Sequence, residues 1–316
     1  MRKLPDAYEP YAWAISTAEA ARIAGIPAAD VLRFDGNVPP RPPRTATPEV
    51  VAAALAEINL YTHGGYPLIH EAIAEYAGVA PAQVVLGAGA DDLIMLCARA
   101  FAGPGDRVAI ADEPTYPLFR LAAWVAGADV DDRDPMLTFC CRPHNPTGAL
   151  VDLPKRRPLV VDEAYFEYGG ETAAGLLDDG VIVIRTFSKA FGLASARIGY
   201  LLADTATAGE LRERQHPAPV STPSVALALA GLADPPDVGP TIAERERLGE
   251  RLRALGLEPL PSWTNFLYVP LAGAPGVARR LAERGLLVRK YPDALRMTVR
   301  DAPDDDRLVD ALAELL

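Results

Sequence analysis

From residue 83 onward the chain is punctuated by short, unbroken apolar runs: Gln83-Val-Val-Leu-Gly, Arg107-Val-Ala-Ile-Ala, Leu137-Thr-Phe-Cys-Cys, Leu159-Val-Val-Asp and Val181-Ile-Val-Ile-Arg. Runs without polar alternation suit strands covered on both faces, so the pattern predicts a mostly parallel sheet. Helices are predicted around it. One opens the chain over Thr17 to Ile26, and another starts at Thr47-Pro-Glu-Val-Val, where a capping threonine precedes a proline at the first helical position. Leu68 to Tyr76 is a third. The small-residue turn Gly87-Ala-Gly-Ala-Asp-Asp leads from the first run into an apolar helix ending near Phe101. Between the first two helices, Asp35-Gly-Asn-Val-Pro-Pro-Arg-Pro-Pro is too rich in proline for helix or central strand and reads as an ordered arm. After Pro219 come an Ala-rich helix, a charged helix over Ile242 to Leu255, and mixed strands and helices from Leu257 to Leu316. The predicted organisation is a large α/β domain over residues 44–240, with residues 1–43 and 241–316 forming the arm and a smaller α+β domain.

Composition narrows the function classes. With 42 acidic and 31 basic residues the 316-residue chain carries a net charge of −11, which argues against a general nucleic-acid binder. No apolar run reaches the roughly 18 residues a membrane-spanning helix needs, and no secretory leader is apparent. Cys97, Cys140 and Cys141 are an odd count without a C-x-x-C spacing, as expected of reduced thiols in a cytoplasmic protein. His63, His70, His144 and His216 form no H-x-x-x-H pair, so no metal site is expected.

Candidate chemistry begins with a scarce residue. Lys189 is one of only four lysines, and it follows the run Val181-Ile-Val-Ile-Arg-Thr-Phe-Ser, with Arg197 eight residues on. A strand delivering an amine to a sheet rim, beside a cation, is what a Schiff-base lysine requires. Three more segments sit at the carboxyl ends of predicted strands: Gly87-Ala-Gly-Ala-Asp-Asp, His144-Asn-Pro-Thr-Gly and Val161-Asp-Glu-Ala-Tyr. In an open parallel sheet ligands bind at those ends, so the four stretches converge on one crevice.

In these segments, and in Tyr61-Thr-His-Gly-Gly-Tyr, Pro114-Thr-Tyr, Gln215-His-Pro-Ala-Pro-Val-Ser, Thr264-Asn-Phe and Leu295-Arg-Met-Thr-Val, the chain resembles the fold-type I pyridoxal phosphate (PLP) enzymes. The resemblance is to the class I/II aminotransferases near histidinol-phosphate aminotransferase, and it spans nearly the whole chain. It implies an α/β fold-type I PLP-transferase and an aminotransferase working between an amino acid or amine and a 2-oxo acid or ketone. By resemblance Lys189 holds PLP as a Schiff base and shuttles a proton. Asp162 faces the pyridine nitrogen, Asn145 and Tyr165 bond the phenolic oxygen, and Tyr116 stacks on the ring. Arg197, the hydroxyls of Thr186 and Ser188, and the backbone amides of Ala90 and Asp91 form the phosphate nest. Tyr61 matches a tyrosine that reaches the phosphate from the neighbouring subunit, implying a homodimer. Arg296, with Arg289 assisting, matches the arginine gripping the substrate's distal anion, carboxylate or phosphate, and Asn37 closes over the substrate.

Departures from the family pattern fall on the substrate side. The arm reads Asn37-Val-Pro-Pro where histidinol-phosphate enzymes tend to have Asn-Glu-Asn-Pro, and Arg300 replaces a glycine usual after the final strand. Residues 149–158 are too few for the helix that normally joins parallel neighbours, so a flanking helix is expected to be missing there, and 127–137 also looks trimmed. A non-transaminating enzyme of the same fold, a decarboxylase, oxidase or cyclase, remains the alternative. A PLP-binding regulator is disfavoured because the residues ahead of the fold leave no room for a DNA-binding segment. A Rossmann nucleotide module is disfavoured because no G-x-G-x-x-G follows the first strand.

Overall fold

The computed structural model describes residues 8, 14–56, 58–62 and 64–316. Its strands are β1 (Leu32–Phe34), β2 (Val84–Gly87), β3 (Arg107–Ile110), β4 (Asp129–Val130), β5 (Leu137–Cys141), β6 (Leu159–Asp162), β7 (Val181–Thr186), β8 (Gly199–Leu202), β9 (Phe266–Pro270), β10 (Leu286–Lys290) and β11 (Ala294–Thr298). The chain divides into two compact units. One contains Arg41–Asn145 and Val151–Pro236, and the other contains residues 14–40, Pro146–Leu150 and Asp237–Leu316.

The first unit is built on a seven-stranded sheet in the order β2-β8-β7-β6-β5-β3-β4. From β4 to β7 neighbouring strands are parallel, whereas β8 runs antiparallel to both β7 and β2. All five apolar runs became strands, and β2, β5, β6 and β7 are buried along their whole length, whereas β3, near the sheet edge, is only partly buried. Leu93, Ile94 and Phe119, from helices Ala90–Phe101 and Leu118–Ala126, pack on one face with Phe139, Val160 and Ile184. Ile69, Ile73 and Ala228, from helices Pro67–Ala77 and Thr222–Ala233, pack on the other with Cys140, Val161 and Val183.

Local signals act as expected where their chemistry is self-contained. The Thr47 side chain accepts from the Val50 amide ahead of Pro48, capping helix Pro48–Leu55. Residues 149–158 contain no helix, and β5 reaches β6 through irregular chain. Val151 and Leu153 from that segment lie half-buried against the second face, so side chains on an extended connection cover part of the sheet there. Strand β8 has no counterpart among the predicted strands. Its antiparallel direction cannot be read from a fully apolar run, which looks the same either way.

The second unit holds a sheet in the order β1-β10-β11-β9, with β1 parallel to β10 and the remaining pairs antiparallel. Helices Gly239–Ala254 and Ala302–Leu315 contribute Leu248, Leu308 and Leu312 to a core with Phe34, Leu267, Leu295 and Met297. Among the described residues no helix is long and apolar enough to cross a membrane.

Candidate active site

Alternation along β6 and β7 decides which side chains meet. Successive residues of a strand point to opposite faces, so Asp162 and Thr186 emerge on the face covered by helix Ala90–Phe101. Glu163 and Arg185 emerge on the other. The register sets Asp162 opposite both Cys141 and Ile184, so the ends of β5, β6 and β7 lie level. Asn145 follows the first of these, Tyr165 the second and Ser188 and Lys189 the third. The Lys189 amine lies 5.8 Å from the centre of the Tyr165 ring, and the Thr115 hydroxyl donates to the Asn145 carbonyl at 3.1 Å. Arg197 does not end a strand but precedes β8. Because β8 is antiparallel, its start lies on the same sheet edge as the ends of its neighbours, with Thr186 opposite Gly199.

Asp162 is the electrostatic centre of this edge. It is 3 % exposed, accepts the Ala164 amide at 3.0 Å, and has its carboxyl pushed up to about 7 by burial, against the opposing pull of that amide and of Lys189. A carboxylate removed from water favours its neutral form. Desolvation by burial, reinforced by Asp91, likewise pushes the Tyr116 phenol far above its usual range.

An anion cradle adjoins it. Gly89 stands at the N-cap of the twelve-residue helix Ala90–Phe101, with φ 86 and no side chain to cap it. The first-turn amides of Ala90 and Asp91 are therefore the donors that a phosphate takes at a helix start. A Cβ added at Gly89 would meet the Arg197 guanidinium at 2.6 Å, so only glycine allows that close approach. Arg197 itself holds a left-handed φ of 48, anchored by donation from Nη1 to the Ala194 carbonyl at 3.0 Å. Thr186 Oγ1 and Ser188 Oγ are 3.0 Å apart.

One participant escaped the sequence reading. The Asp91 carboxylate accepts from the Tyr116 hydroxyl at 2.8 Å and from Arg197 Nη2 at 3.2 Å, joining the two side chains. Sequence reasoning counted only its amide, because no spacing rule links residues 91, 116 and 197.

The structure thus brings together Lys189, Asp162, Tyr165, Tyr116, Asn145, Thr186, Ser188, Arg197, Ala90 and Asp91 in the first unit. Tyr61 is instead 83 % exposed. Asn37, Arg289 and Arg296 belong to the second unit. Arg289 and Arg296 are register partners across β10 and β11, Arg296 Nη2 donates to the Asp35 carbonyl at 3.1 Å, and the Asn37 amide donates to the Thr298 hydroxyl oxygen at 2.9 Å. The donor set fits pyridoxal phosphate: first-turn amides, hydroxyls and a guanidinium for the phosphate, an amine for the aldehyde, and a buried carboxylate for the ring nitrogen.

Comparison with known proteins places the chain in a family. The model of the family "Aminotransferase class I and II" matches residues 29–132 and 127–312. A histidinol-phosphate aminotransferase of Caldanaerobacter subterraneus subsp. tengcongensis is 32% identical, with 82% of this chain and 85% of the relative covered. An aromatic amino acid aminotransferase of Rhodococcus opacus is 35% identical, with 84% of each covered. The crystal structure of histidinol-phosphate aminotransferase from Sinorhizobium meliloti, in complex with pyridoxal-5'-phosphate, superposes with a TM-score of 0.80 at 26% identity over 98% of this chain and 97% of that one. The chain belongs to the aminotransferase class I and II family.

Proposed function

We propose that this aminotransferase uses pyridoxal 5'-phosphate, held covalently by Lys189, to move an amino group between an amino acid and a 2-oxo acid. The observation that carries the reading is the buried Asp162 carboxylate on the sheet edge that bears Lys189, next to a helix N-terminus overlaid by Arg197. When bound, the coenzyme supplies an electron sink conjugated to the substrate's α-carbon. Asp162 would keep a proton on the ring nitrogen. Lys189 Nζ would carry a proton away from the α-carbon and return it. Tyr165 and Asn145 would hydrogen-bond the phenolic oxygen, and Tyr116 would orient the ring by its face. Arg197, Thr186, Ser188 and the amides of Ala90 and Asp91 would hold the phosphate. Arg296, with Arg289 opposite, would grip the substrate's anionic end, since a guanidinium fork takes carboxylate or phosphate alike. Asn37 would close over the substrate. The exposed Tyr61 would serve the phosphate of a neighbouring subunit in a homodimer. Three buried free thiols support a reducing, cytoplasmic setting.

The test is a single-turnover titration of the purified holoenzyme with a panel of amino acids, followed by coenzyme absorbance. Transamination leaves pyridoxamine phosphate on the protein and releases a 2-oxo acid. Carbon dioxide release without that change would replace transamination by decarboxylation. Lys189→Ala is expected to fold, to lose the absorbance of the covalently held coenzyme, and to be inactive. Full turnover in that variant would overturn the assignment of Lys189.

A further inference from the structure

Arg296 and Thr298 lie two apart on β11 and so point to one face, Arg300 follows two residues beyond the strand's end, and each of the three reaches the N-terminal arm. Arg296 Nη2 donates to the Asp35 carbonyl at 3.1 Å, the Thr298 hydroxyl to the Phe34 carbonyl at 2.9 Å, and Arg300 Nη1 to the Arg33 carbonyl at 3.1 Å. Three successive carbonyls are thereby held from one strand end. Thr298 Oγ1 also accepts the Asn37 amide at 2.9 Å and lies 3.1 Å from Asn37 Oδ1. Asn37 is buried in the left-handed region at φ 52, a conformation that persists where surrounding contacts over-determine it.

Arg300 is itself braced. Its Nε donates to Asp304 at 2.9 Å, its amide lies 3.2 Å from both Asp305 oxygens, and its guanidinium carbon sits 5.6 Å from the centre of the Phe34 ring. The side chain is only 14% exposed, so its charge-assisted bonds are little weakened by water. A planar guanidinium can serve Asp304 and the Arg33 carbonyl together in fixed geometry, which a single ammonium does poorly. The glycine expected at this position could make neither contact.

We propose that Arg300 is a positioning residue for the substrate anion, fixing arm residues 33–37 to the end of β11 so that Asn37 and Arg296 stand in one arrangement before substrate arrives. The proposal rests on reading Asn37 and Arg296 as substrate-side residues. Loosening the arm adds an ordering cost to substrate binding and leaves proton transfer at Lys189 unchanged.

In R300A holoenzyme, KM for the amino donor should rise roughly 3- to 10-fold while kcat stays within about twofold, with the absorbance of the bound coenzyme unchanged. Amide exchange over residues 33–40, followed by mass spectrometry, should quicken about tenfold or more while β2 and β5 to β8 exchange as in wild type. R300K should give an intermediate KM. An unchanged KM overturns the proposal whatever the exchange shows. A joint fall of kcat, coenzyme absorbance and protection throughout the second unit also overturns it, because that marks a general folding role. Wild-type enzyme that transaminates no donor would sink the functional reading instead. Quickened exchange confined to 33–40 would then keep the clamp and discard its link to substrate.

Discussion

At Asp162 folding and function make opposite demands. The carboxyl is pushed up to about 7 in the folded protein, from 3.8, by burial. An acid with a raised folded pKa binds its proton more tightly when folded, so stability falls as pH climbs from about 4 to about 7 and the full penalty applies above that. For so buried a group the penalty is on the order of 4 kcal/mol. Coenzyme-free D162N should therefore be more stable than wild type, by a margin that widens between about pH 4 and about pH 7 in urea unfolding. If Asp162 has the role proposed for it, the same variant should lose roughly 10²-fold or more in transamination, because asparagine carries no charge. A margin that does not change with pH would locate the strain elsewhere. Asp162 was legible as an acid ending an apolar run, whereas the Asp91 carboxylate was not. Its value comes from Tyr116 and Arg197, both remote in sequence, and a first-turn acid on a helix has an ordinary reading as a dipole partner.

Behind the site, strands β6 and β7 are tied on their opposite face by Glu163 and Arg185, which are 1% and 2% exposed and 3.0 Å apart. Glu163 also accepts from the Thr172 hydroxyl at 2.9 Å and the Ala173 amide at 2.6 Å, and the Arg185 guanidinium lies 3.6 Å from the Phe166 ring centre. Burial still lifts the Glu163 carboxyl above its ordinary value, against the pull of Arg185. The pair therefore lends position to the strand ends more than net stability. E163Q removes the carboxylate paired with a buried guanidinium and should cost about 3–5 kcal/mol in thermal or urea unfolding, while E163Q/R185M, which removes both members of the pair, should recover much of that loss. A double variant as unstable as the single one would mean that the attraction itself outweighs desolvation. Neither partner was singled out from sequence, since Arg185 closes an apolar run like any strand-terminal polar residue. The parallel strands and the gap at 149–158 were readable, because burial on both faces and the length needed for a crossover are properties of single segments. The direction of β8 and the shared reach of Arg296, Thr298 and Arg300 to the arm were not, because both depend on which strand lies alongside.

For the whole molecule the proposed homodimer turns on the surface around Tyr61. Tyr61 is exposed along with Leu55, Ile58, Leu60 and Leu68, a density of exposed apolar side chains in one stretch that marks an association surface more often than bare solvent contact. If two chains pair symmetrically there, each site takes Lys189 from one chain and Tyr61 from the other. Alone, Y61A should bind coenzyme more weakly in a fluorescence titration and K189A should be inactive. A heterodimer of the two, co-expressed with different tags and purified through both, has one site with both replacements and one with neither. It should show about half the wild-type activity per dimer and wild-type coenzyme affinity at its competent site. Were Tyr61 to serve its own chain, the only lysine-bearing site would lack its tyrosine, and the heterodimer would do no better than half of Y61A.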